Sequence, residues 1–216
     1  MYLTQGLQRA VQRHPDKIAV RELGEPVQRG PAAALTSAAT SAPTSALTSA
    51  PTLTLTFAEL LTRIGGHAAA LQARGVRAGD RVALLSPNNG SLIVQLFACW
   101  WLGAVACPLN LRWSVPELRH ALDDCGAPLL LFDAALAGAA AELHGRATVL
   151  AAEGLAAEAR AAEACTAKAS TAEACTAKAC TAEAPGLALL PDSRTGGDAL
   201  AAILYTGGTT GRAKGV

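Results

Sequence analysis

Ile203-Leu204-Tyr205-Thr206-Gly207-Gly208-Thr209-Thr210-Gly211-Arg212-Ala213-Lys214-Gly215-Val216 closes the sequence with a strand pattern that runs into an anion-binding loop. The apolar run from Ala201 to Tyr205 reads as a buried strand. Gly207, Gly208 and Gly211 let consecutive backbone N–H groups turn inward and form a concavity for an anion. Thr206, Thr209 and Thr210 add hydroxyl donors, and Lys214 brings a mobile positive charge. Together these suit a polyphosphate.

Two common phosphate motifs are excluded by spacing. A Walker-type loop needs G-x-x-x-x-G-K-[ST]. Counted from Gly207 or Gly208, the Gly-Lys pair would fall on Arg212-Ala213 or Ala213-Lys214. The glycines at 207, 208 and 211 do not fit G-x-G-x-x-G either. The order aromatic-Thr-Gly-Gly-Thr-Thr-Gly-x-Ala-Lys-Gly resembles the phosphate-binding signature of the AMP-forming adenylating enzymes, Tyr-Thr-Ser-Gly-Thr-Thr-Gly-x-Pro-Lys-Gly. That family includes acyl-CoA synthetases, peptide-synthetase adenylation domains and luciferases. Gly207 stands where the pattern has serine, which costs one hydroxyl donor and keeps the backbone N–H. Ala213 stands where it has proline, which loosens the backbone before Lys214.

The rest of the sequence follows the order of that family's N-terminal region, over about residues 5–30, 53–150 and 196–216. A short amphipathic helix from Leu7, a His14-Pro15-Asp16-Lys17 turn and a strand at Ile18-Ala19-Val20 come first. A strand from Leu53 then meets a capping box, Thr56 with Glu59. Its helix carries Leu60, Leu61, Ile64, Ala68 and Leu71 at helical spacing and ends on Arg74-Gly75. Gly79-Asp80 turns into the buried strand Arg81 to Leu85, which stops at Ser86-Pro87-Asn88.

Residues 92–109 are almost wholly apolar, with Gln95 the strong exception, and nearly long enough to cross a bilayer. Gly103 and Pro108 interrupt the run, and no basic flank precedes Arg112. The expected structure is a buried helix to about Leu102, a glycine stop and a strand from Ala104 to Cys107, with Trp100 and Trp101 packed in the core. No stable membrane span is expected. Ser114-Val115-Pro116-Glu117 starts another capped helix, which ends near Asp124 to Gly126 and leads to the strand Leu129 to Phe132. Repeated strand–helix–strand order predicts an α/β fold: a layered, mostly parallel sheet flanked by helices.

Two segments carry no chemistry. Residues 31–52 are a Thr/Ser/Ala/Pro tract, too small and uncharged to pack a core, and read as an insertion. Residues 157–185 hold an Ala-rich five-residue repeat, whose period winds cysteines and charges around a helix without making a stripe. Cys165, Cys175 and Cys180 form no C-x-x-C and have no neighbouring histidine, so passive thiols are expected and no metal site. Residues 1–216 thus read as one partial N-terminal AMP-binding domain with two insertions. Formal net charge of +1 without a Lys/Arg run excludes a nucleic-acid surface. Six cysteines without a framework and the lack of a signal peptide point to the cytoplasm. His14, His67, His120 and His144 are scattered, and Asp123-Asp124 and Asp133 read as helix-end and strand-end residues.

The resemblance implies an acid–thiol ligase using ATP, Mg²⁺ and CoA. A carboxylic acid and ATP would give acyl-adenylate and pyrophosphate, and CoA would then take the acyl group. It assigns Thr206, Gly207, Gly208, Thr209, Thr210 and Gly211 to the β/γ-phosphates, with Lys214 as compensating charge. The adenine-stacking aromatic, the ribose-binding Asp and the mobile domain with the adenylation lysine are expected beyond Val216. No catalytic residue is therefore assigned here, and the 216-residue piece is expected alone neither to make acyl-adenylate nor to bind ATP tightly, with an unpaired sheet edge. A carrier-loading adenylation domain, a nucleotide-binding module ending at Val216 and a membrane-associated protein using residues 92–109 are the alternatives. The acid itself and the oligomeric state are not legible.

Overall fold

The computed structural model of the chain describes residues 2–23, 51–159, 191–193, 195–206 and 214–216. Most of the Thr/Ser/Ala/Pro tract, the five-residue repeat from residue 160 onward, and Gly207, Gly208, Thr209, Thr210 and Gly211 lie outside those residues. Helix α1 (Gln5–Arg13) leads to β1 (Ile18–Leu23), which pairs antiparallel with β2 (Pro51–Thr56) in the register Arg21↔Thr54. The last two residues of the tract therefore already belong to a strand.

Thr56 ends β2 in an extended conformation and caps α2 (Phe57–Ala73). Its hydroxyl accepts from the Glu59 backbone N–H at 3.2 Å, and the Glu59 carboxylate accepts from the Thr56 N–H at 2.8 Å. Two otherwise unpaired donors are satisfied at once, so the strand-to-helix corner is fixed by local chemistry. The helix stops at Arg74 and Gly75, where φ is +86°.

Strands β3 (Arg81–Leu85), β4 (Val105–Pro108), β5 (Leu129–Phe132) and β6 (Thr148–Ala151) form a wholly parallel sheet in the order β4-β3-β5-β6. Both faces are covered, which is why its strands read as unbroken apolar runs. Alternation along each strand sorts the two faces. Val82, Leu84, Ala106 and Leu131 pack with α2 and α3 (Gly90–Leu102), through Ile64, Leu71, Val94 and Ala98. Ala83, Leu85, Cys107 and Leu130 pack with α4 (Val115–Cys125), through Leu118, Ala121 and Leu122. The expected layered α/β sheet is present.

Asn89 accepts from the Leu92 N–H at 3.0 Å to start α3, and Gly103, left-handed at φ +73°, ends it. A side chain at Gly103 would place its Cβ 2.5 Å from Thr195 Oγ1, so the stop needs glycine for both conformation and space. No helix among the described residues is long and apolar enough to cross a membrane. Trp101 lies in the core as expected, 5% exposed. Trp100 is only partly covered, and its indole N–H donates to the Ala201 carbonyl at 2.9 Å. Helix α4 starts at Ser114, where Glu117 accepts from the Ser114 N–H at 2.7 Å, and ends at the left-handed Gly126. Cys99, Cys107 and Cys125 are buried free thiols. Burial pushes Cys99 up to about 12, which leaves it an inert core group.

The run from Ala201 to Tyr205 is a correction to the sequence reading. It is not a buried strand: Ala202 makes one isolated parallel bridge to Ala106, and Leu204 is 55% exposed. The segment flanks β4 at the sheet edge, and no described strand pairs on its outer side. An apolar run reports hydrophobicity and says nothing of whether a neighbour covers both sides.

Candidate functional site

The chain reaches the site along β4. Ala106 N–H donates to the Ala201 carbonyl at 3.1 Å, and Ile203 N–H donates back to the Ala106 carbonyl at 3.0 Å. Beyond this bridge, β7 (Tyr205–Thr206) pairs antiparallel with β8 (Lys214–Gly215), in the register Tyr205↔Gly215 and Thr206↔Lys214. Leu204 and Val216 close the stem with reciprocal backbone hydrogen bonds of 2.9 and 2.8 Å.

The structure thus brings two of the expected site residues together. Thr206 and Lys214 stand opposite each other at the mouth of the loop, and both are exposed. Gly207, Gly208, Thr209, Thr210 and Gly211 lie outside the described residues. Among the described residues Lys214 makes no ion pair, so its charge is available to an incoming anion.

Tyr205 ties this stem to the body of the protein. Its ring stands edge-on to Trp113, with centroids 5.8 Å apart and planes at 78°. Its hydroxyl reaches Asp124 Oδ2 at 2.8 Å and the Ala121 carbonyl at 3.0 Å. Burial first, and then the bond to Asp124, hold the phenol above its ordinary range, so at neutral pH it stays a donor. Gly215 completes the fit. A Cβ there would lie 2.9 Å from Ile203 Cγ2 and 3.3 Å from both Asp124 Oδ2 and the Tyr205 ring. Only glycine lets β8 lie this close.

Two of the other polar residues noted in the sequence have partners elsewhere. Asp123 pairs with Arg146 at 2.9 Å, and His67 Nδ1 bonds the Arg63 carbonyl at 2.8 Å. A cavity of about 380 Å³ gathers Glu22, Asp133 and Glu153. Their oxygens accept from the backbone N–H groups of Gly90, Ala135 and Ala134 respectively, which leaves a satisfied structural cluster. Among the described residues no group of three or more His, Cys, Asp or Glu could hold a metal ion. The sequence reading passed over Tyr205 as an anchor and Asp124 as its partner. The available signal was an acidic doublet at a helix end, where the helix field disfavours it.

A family model described as AMP-binding enzyme matches residues 7–216. The feruloyl-CoA synthase of an Amycolatopsis species is 53% identical over 73 residues, covering 34% of this chain and 15% of that protein. A long-chain-fatty-acid–CoA ligase of Mycobacterium tuberculosis is 30% identical over 149 residues, covering 69% of this chain and 26% of that protein. Among solved structures, the o-succinylbenzoate coenzyme A synthetase of Bacillus subtilis in complex with AMP superposes with a TM-score of 0.65 at 25% identity. That match covers 97% of this chain and 40% of the other. The chain therefore spans well under half the length of these relatives.

Proposed function

The chain belongs to the AMP-binding enzyme family, and on that premise we propose that it forms the N-terminal part of an ATP-dependent acyl- or aryl-CoA ligase. A carboxylate oxygen of the acid attacks the α-phosphorus of ATP. The bond from that phosphorus to the bridging oxygen breaks, and pyrophosphate leaves with the negative charge. The CoA sulfur then attacks the acyl carbonyl and AMP departs. The relatives differ in the acid they are named for, so the reading stops at a carboxylic acid.

Charge grows on the β- and γ-phosphates as the bond to the α-phosphorus breaks. Donors already aimed at those oxygens lower the barrier without reorganising during the step. In this reading Thr206, Gly207, Gly208, Thr209, Thr210 and Gly211 supply the donors and Lys214 supplies the compensating charge. The observation that carries it is the stem itself: Thr206 and Lys214 held opposite each other across β7 and β8, with no ion pair to Lys214 among the described residues. Mg²⁺ would be held by the phosphate oxygens of the nucleotide and would offset their charge.

The test is carboxylate-dependent exchange of pyrophosphate into ATP. The chain alone is expected to catalyse none. A longer polypeptide that carries it is expected to catalyse exchange, and Lys214→Ala should lower the rate there on the order of a hundredfold. Undiminished exchange in that variant would remove the assignment.

A further inference from the structure

We infer that Asp124, at the end of α4 and outside the loop signature, is a positioning residue that fixes the stem of the phosphate loop. The inference rests on the phosphate reading of that loop. Asp124 touches the stem at β7 and lies beside β8. One carboxylate oxygen takes the Tyr205 hydroxyl of β7 at 2.8 Å. The same oxygen lies 3.3 Å from where a Cβ on Gly215 of β8 would stand. The Ala121 carbonyl, one turn earlier on α4, lies 3.0 Å from the same hydroxyl and shares its single hydrogen with Asp124, and Trp113 braces the ring.

A second observation separates this from ordinary helix-end chemistry. The last turn of α4 carries Asp123 and Asp124 and no basic residue. Negative charge there opposes the helix field, which favours cations at a C-terminus. Asp123 is compensated by Arg146 at 2.9 Å. Asp124 meets only a neutral hydroxyl among its hydrogen bonds at the described residues. A residue that costs its own helix something marks a contact whose benefit lies elsewhere, and here that contact is the loop stem. Fixing the stem presets where Thr206 and Lys214 stand before the phosphates arrive, which is the preorganisation an anion cradle needs.

Two readouts on a longer polypeptide that carries this chain test this: amide hydrogen exchange at Leu204 and Val216, which bond each other across the stem, and the dissociation constant for inorganic pyrophosphate. Asp124→Ala should speed exchange at both amides about tenfold and weaken pyrophosphate about tenfold, the loss of a charge-assisted hydrogen bond. It should not lower the unfolding midpoint, since α4 loses an unfavourable charge and gains alanine. Asp124→Asn keeps an acceptor oxygen and should recover most of both losses. Asp123→Ala should alter neither readout. Wild-type exchange and affinity in Asp124→Ala overturn the inference. So does a fall in midpoint with faster exchange throughout the sheet, which would make Asp124 a general stabiliser. A longer wild-type polypeptide that binds no pyrophosphate overturns the phosphate reading and this inference with it; normal binding unchanged by Asp124→Ala overturns the inference alone.

Discussion

The parallel sheet and the terminal hairpin lie side by side in this chain and are held by different physics. The sheet is fixed by apolar burial on both faces: Leu130 and Leu131 are 0% exposed, as are Val82 and Ala83. The hairpin has almost no core of its own. Thr206, Lys214 and Gly215 are exposed, and beyond the packing of Tyr205 against the core the described stem rests on one aromatic contact, one hydroxyl and reciprocal backbone bonds. Burial is strong and tolerant of detail, whereas a few directed contacts are weak and set a position. The scaffold can therefore be damaged without aiming at the site, and the site can be mis-set without unfolding the scaffold.

The largest test of that division is Leu131→Ala. It should cost about 2–5 kcal/mol, since the cavity opens between β5 and the helices on its face; urea unfolding measures it. A cost near zero would mean that the sheet is not held by its core. Gly103→Ala comes next. It forces a side chain into a left-handed stop, with its Cβ 2.5 Å from Thr195 Oγ1, and should cost on the order of 1–2 kcal/mol in the same measurement. Lys214→Ala tests the other side of the comparison: a drop of about tenfold in pyrophosphate affinity with the unfolding midpoint unchanged. A shifted midpoint would show the hairpin to be part of the scaffold.

The smallest expected effect concerns pH. The bonds to Thr56 hold Glu59 below its ordinary value of 4.5, and those to Ser114 do the same for Glu117. A carboxyl depressed in the folded state contributes stability that is present above its unfolded value and lost as pH falls through the folded one. Stability should therefore decline as pH drops below about 4.5, and Glu59→Gln should make that decline shallower in acid-unfolding curves.

Much of the scaffold was legible because its punctuation is local. Thr56 and Glu59 announce a helix start, and Gly75, Gly103 and Gly126 announce stops that the structure places in left-handed or positive-φ conformations. Unbroken apolar runs such as Val82 to Leu85 announce strands covered on both faces. What depends on distant partners was not legible. Ala201 to Tyr205 looks as apolar as a core strand, yet it borders β4 with one isolated bridge. Trp100 looks like core and instead donates its indole N–H to Ala201. Asp124 is the surface residue it looks like, and what the sequence hides is that the fold sets Tyr205 against it, from 81 positions away. At the site, the residue types of the loop were readable from order alone, while the contacts that aim Thr206 and Lys214 lie on another element.

Phosphorus-31 titration with inorganic pyrophosphate of a longer polypeptide that carries this chain tests the central claim most directly, with residues 207–213 either intact or replaced by an unrelated seven-residue turn between the same stems. The account predicts saturable binding to the intact form and its loss on replacement, with the unfolding midpoint unchanged. Equal binding by both forms would contradict it.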